Sequence, residues 1–161
     1  MDIDNIILLL QSKYIFNKQV PDEFNKESEN IVSQIYLSAF IFYNNNNFKQ
    51  ATVLLRFLTL LKPLDTNYWK AFASALYMDK EYQRAISCYN YLTMLLPKDP
   101  YAFQHLAESY LALKDMPAAW ENLNYAKKLA QKNIKVYADE YKFIEALSTT
   151  WKKFIPEENY A

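Results

Sequence analysis

Apolar residues recur every three or four positions through most of the chain, and no segment sustains the alternation of a half-buried strand, so the pattern predicts a wholly helical protein. Ile3, Ile6, Ile7, Leu10 and Tyr14 share one face of a first amphipathic helix, behind Asp2 and Asp4, acidic residues suited to a helix start. Pro21 ends the connector, and Asp22 or Ser28 can cap a longer helix running toward Tyr43. Polar stretches then interrupt the stripe at Asn44 to Asn47, Asp79 to Glu81 and Lys114 to Asp115, with new helices expected near Phe48, Tyr82 and Met116. Pro63 and Pro97 close two of these helices, because proline has no amide hydrogen and clashes with the preceding turn.

The interruptions are periodic. Ala51, Ala85 and Ala119 lie 34 residues apart, and Pro63 and Pro97 repeat the step. Aligned on the alanines, Trp69, Phe72, Ala73, Leu76, Ala85, Tyr89 and Pro97 correspond to Ile35, Ser38, Ala39, Phe42, Ala51, Leu55 and Pro63. A third unit supplies Phe103, Leu106, Ala107, Tyr110, Ala119 and Leu123, with Gln131 where proline is expected. This period and signature are those of tetratricopeptide repeats, each a pair of antiparallel helices A and B. The expected fold is all-α: three such repeats over 31–131 forming a short superhelix, an N-terminal helix and connector over 1–30, and a capping helix over 132–161. The small alanines mark where helices A and B cross. Ile134, Tyr137, Tyr141, Ile144, Trp151 and Ile155 form the stripe expected of the cap.

Composition narrows the function. Lysine plus arginine equals aspartate plus glutamate at 18 each, leaving no field to attract nucleic acid, and the lysines at 127, 128, 132 and 135 read as a solvated face. Glycine is absent, which excludes phosphate loops and dinucleotide turns and leaves asparagine to make the turn at 44–47. The lone Cys88 permits no internal disulfide and reads as an inert buried hydrophobe, and no spaced Cys/His set offers a metal site. No nucleophile or cofactor constellation appears, so the chain is read as a binding protein with neither metal nor cofactor. A cytoplasmic location is expected: the N-terminus lacks the charge pattern of a signal peptide, and no apolar run is long enough for membrane insertion.

Helix A residues off the signature are expected to line a concave groove: Ser33, Tyr36, Leu37, Phe40 and Tyr43; Asn67, Lys70, Ala71, Ser74, Tyr77 and Met78; Tyr101, Gln104, His105, Glu108, Leu111 and Ala112. Rich in tyrosine and poor in charge, this set suits an extended peptide and not a lysine-based carboxylate clamp. The residues assigned to partner binding are Tyr36, Phe40, Tyr43, Lys70, Ser74, Tyr77, Tyr101, His105 and Glu108, with the last two paired one helical turn apart. Ile3, Ile6, Ile7 and Leu10 are assigned to a homodimer contact.

Tyr36-Leu37-Ser38-Ala39-Phe40 with Tyr43, Phe48 and Ala51 resembles the first repeat of the class II type III secretion chaperones. Ala85-Ile86-Ser87-Cys88-Tyr89-Asn90-Tyr91 is similar to their A-I-x-x-Y-x-Y segment, and His105-Leu106-Ala107-Glu108-Ser109 to their H-A-A-E-C stretch. The chain departs from the family in lacking its glycines, in Ser109 for the usual cysteine, and in its first 25 residues. The resemblance implies a bacterial cytoplasmic chaperone that shields the hydrophobic, pore-forming translocators by cradling an extended, proline-flanked segment, often as a dimer. The repeats alone would also suit a scaffold in another assembly or secretion apparatus.

Overall fold

The computed structural model describes the backbone of residues 22–153 and the side chains from Ser28 onward; Ile3, Ile6, Ile7, Leu10 and Ile155 lie outside the described residues. Seven helices follow in order among the described residues: α1 (Asp22–Asn44), α2 (Phe48–Leu61), α3 (Thr66–Met78), α4 (Tyr82–Leu95), α5 (Pro100–Ala112), α6 (Met116–Lys132) and α7 (Ala138–Trp151). No strand occurs among the described residues. The chain divides after Ala75, within α3, into two compact units.

In the first unit α1 packs along α2. Ala39 and Ala51 are both without exposed surface, and Val32, Leu55, Leu58 and Leu61 are buried with them. Small side chains at a crossing let two helix axes approach, and each buried leucine beside it contributes about 1.5–3 kcal/mol relative to exposure. Lys62, just past α2, pairs with Glu29 near the start of α1. Ser38 occupies a signature position that is buried in the later repeats as Phe72 and Leu106. In the first repeat this position is exposed, and the Ser38 hydroxyl donates to the Gln34 carbonyl at 2.9 Å.

The second unit repeats the arrangement. α5 packs against α4 and α6, and α7 against α6 and α5. Ala85, Ala107 and Ala119 are fully buried. Ile144 and Trp151 of α7 close a core that also holds Trp120, Leu123, Ala126 and Ala130. Asp99 and Asp115 cap α5 and α6 by accepting from the Tyr101 and Ala118 amides at 3.0 and 3.2 Å, each with a proline in the first turn.

The stripe from Ile134 to Ile155 does not form one continuous capping helix. Residues 133–137 make a turn in which the Val136 and Tyr137 amides donate to the Asn133 carbonyl at 2.9 and 3.1 Å, and Ile134 is 44% exposed. The physical reason lies upstream. α2 and α4 each stop after 14 residues, with proline two positions beyond; α6 has Gln131 in that place and runs for 17 residues.

All three A-to-B turns share one backbone device. Asn46, Lys80 and Lys114 have φ of 58°, 64° and 64°. In each turn this residue's amide donates three positions back, to Tyr43, Tyr77 or Leu111, at 2.9–3.0 Å, and the next amide reaches five back, to Phe42, Leu76 or Tyr110, at 2.8–2.9 Å. This is the Schellman closure of a helix, usually built on glycine. Asparagine fills it only in the first turn; lysine fills it twice, where a β-carbon costs about 1 kcal/mol or more. Lys80→Gly should therefore stabilise the protein by roughly 0.5–1 kcal/mol and raise its Tm by about 1–4 °C. A melting curve that moves down in this variant would show that the left-handed turn is not strained.

Candidate functional site

The first unit contains a recess of about 230 Å³ lined by Tyr36, Ala39, Phe40, Tyr43, Asn44, Leu55, Ala71 and Ser74. Spacing of three to four on α1 brings Tyr36, Ala39, Phe40 and Tyr43 to one wall, and α3 supplies Ala71 and Ser74. The buried Leu55 of α2 adds apolar surface. Tyr36 is held by a tilted contact with Tyr68, 5.4 Å between ring centroids, and Tyr43 by an edge contact with Phe48 at 5.3 Å. Phe40 has no such brace among the described residues and stands 54% exposed. The result is an apolar recess with two braced tyrosines and an exposed Phe40 at its walls and a few hydroxyl and amide groups, suited to one aliphatic or aromatic side chain.

The structure thus brings together Tyr36, Phe40, Tyr43 and Ser74 from the residues assigned to partner binding; Lys70 is half-buried nearby in sequence but does not line the recess. Leu55, Ala39 and Asn44 also line it, although sequence reasoning gave the first two to the core and the third to a turn.

The second unit gathers the remaining four. Tyr77 packs edge-on to Tyr82 at 5.4 Å, and burial, followed by the nearby Glu108 carboxylate and Tyr82, pushes its phenol above the ordinary range. On α5, His105 Nδ1 lies 2.8 Å from Glu108 Oε2, and Gln104 donates to Glu108 Oε1 at 3.2 Å. Tyr101 meets the imidazole edge-on at 4.3 Å, while Tyr89 of α4 stacks on it at 5.4 Å with 19° between planes. Tyr89 was legible only as a signature residue; its second role, bracing His105, comes from the packing of α4 on α5.

Cys88 is buried on α4, and loss of water around it pushes its thiol up to about 11, with Arg84 opposing weakly. At about pH 8 alkylation in the folded protein should be slower than in the unfolded chain by on the order of 100-fold, a difference that timed iodoacetamide labelling read by mass would measure. The raised folded value also means that its contribution to stability is complete below about pH 8.5 and lost as pH rises toward 11. Among the described residues no group of His, Cys, Asp or Glu can hold a metal, and no helix is long and apolar enough to cross a membrane.

The tetratricopeptide repeat family model matches residues 66–99, which span α3, α4 and the turn between them. Solved structures that share the fold include the following three. The type III secretion translocator chaperone SycD of Yersinia enterocolitica is 20% identical, with 83% of this chain and 98% of that one aligned at a TM-score of 0.71. PcrH from Pseudomonas aeruginosa is 21% identical over 76% and 92% of the two chains, TM-score 0.69. PcrH in complex with the chaperone binding region of PopB is 22% identical over 73% and 94%, TM-score 0.67. No curated protein sequence matches the chain.

Proposed function

We propose that this chain is a bacterial cytoplasmic chaperone of type III secretion that binds and shields hydrophobic translocator proteins before export, acting by binding and without chemistry. The observation that carries the proposal is the recess of the first unit: an aromatic-walled cavity to which Tyr36, Phe40, Tyr43, Ala71 and Ser74 come from helix A positions that the repeat signature does not require. Its fold is shared with PcrH in complex with a segment of PopB and with SycD in complex with a peptide of YopD. A recess of this size accepts one apolar side chain of an extended segment, and covering such side chains keeps a pore-forming protein from aggregating in water.

Under this reading Tyr36, Phe40, Tyr43 and Ser74 hold the apolar anchor, Lys70, Tyr77, Tyr101 and His105 contact other parts of the client, and Glu108 takes part in binding through its pairing with His105. Residues 31–131 are the binding module and 132–161 its cap, while Ile3, Ile6, Ile7 and Leu10 in 1–30 join two copies in a homodimer. The test is co-expression of the full chain with the hydrophobic secreted proteins encoded beside it, followed by affinity capture and light scattering. Soluble one-to-one capture is expected, with charged residues at Ile6 and Leu10 giving monomers that still capture. Translocators that stay insoluble and uncaptured would sink the chaperone reading, and a wild type monomeric at high concentration would sink the dimer alone.

A further inference from the structure

The chain has a single histidine, and only one of its ring nitrogens is committed. His105 Nδ1 faces the Glu108 carboxylate at 2.8 Å, and Gln104 donates to the other oxygen of that carboxylate at 3.2 Å. An ionised carboxylate can only accept, so in the neutral imidazole the proton sits on Nδ1 and Nε2 is left with an open lone pair. Tyr89 stacked on one face and Tyr101 against the edge hold the ring in place. Nε2 has no hydrogen-bond partner among the described residues and is not sealed from solvent; the side chain is 25% exposed.

We infer that His105 Nε2 is a fixed hydrogen-bond acceptor for a main-chain N–H of the extended client segment, and that Glu108 is the positioning residue that sets its tautomer. The inference rests on the chaperone reading and deepens it. A segment laid in extended form on helices has no ladder partner of its own, and each amide it buries must find an acceptor on the protein. The helix carbonyls are already used within the helices, so the acceptors come from side chains. His105 offers one with a direction set in advance, which a hydroxyl free to rotate would not.

Two measurements test it. The imidazole 15N shifts of the full chain at about pH 8 are unambiguous because there is one histidine; a protonated Nδ1 with a bare Nε2 is expected, and the opposite tautomer overturns the inference. The client segment is then mapped with overlapping peptides from the secreted proteins that the wild type captures, and remade with single N-methyl groups along its backbone. One N-methyl position should cost about 10-fold in affinity for the wild type and about 2-fold or less for His105→Phe, which keeps the ring packing and lacks the acceptor. Glu108→Gln should shift the 15N pattern toward the other tautomer and lower affinity for the unmodified peptide by about 10-fold, and it carries the test if His105→Phe does not fold. Equal N-methyl losses in wild type and His105→Phe at every position, or full affinity in a tautomer-switched Glu108→Gln, overturn the inference and leave the chaperone reading intact. A wild type that captures no translocator removes that reading, and the inference with it.

Discussion

Trp151→Ala should destabilise the protein by about 3–5 kcal/mol, the cost of removing a large aromatic side chain from a core that relaxes only in part. Trp151 is 8% exposed and sits with Ile144 against Trp120, Leu123, Ala126 and Ala130. It lies at the last residue of α7, so its loss frees the end of that helix as well as emptying a cavity. Urea unfolding followed by circular dichroism is the measurement, with an early loss of α7 expected before the main transition. A variant that unfolds at the wild-type midpoint would show that α7 contributes little to the core it covers.

The second large effect is on binding. The double variant Tyr36→Ala, Phe40→Ala should lose about 2 kcal/mol or more of client affinity, roughly 30-fold, if the two aromatic walls act as hot spots. Stability should change little through Phe40, which is 54% exposed, and more through Tyr36, which packs on Tyr68. Calorimetric titration with the captured client segment, on protein shown to be folded, separates the two effects. With so little charge around the recess, affinity should also be nearly the same at low and physiological salt. Unchanged affinity in the double variant would move the binding site away from the first unit's recess.

Much of this architecture is legible in the residues, and the reasons differ by element. Ala39 with Ala51 and Ala107 with Ala119 are legible because a crossing of two helices tolerates little else, and all four are fully buried, as are Ala73 and Ala85. The left-handed turn residue is legible at Asn46, since asparagine tolerates that conformation. At Lys80 and Lys114 it is hidden, because the demand comes from the hydrogen bonds that close the helix and not from lysine's own preference. The walls of the recess follow from helical spacing on α1, whereas the contributions of Leu55 and Asn44 do not, because one-dimensional patterns assign each residue a single task. His105 and Glu108 are legible as a pair one turn apart; the stacking of Tyr89 is not, because it joins two helices whose facing residues no local spacing relates.

The longer α6 also changes the phase of the helix that follows it. Helix A starts at Thr66 in the second repeat and at Pro100 in the third, and the period calls for the next at 134. Gln131 lets α6 run past the point where proline ended its two predecessors, and the following helix begins at Ala138, about one turn late. In a one-dimensional array, each unit is a template for the next only while the phase is kept. A missing proline therefore shifts the phase by about one turn, so α7 meets α6 and α5 later in the chain than the 34-residue step of the repeats calls for.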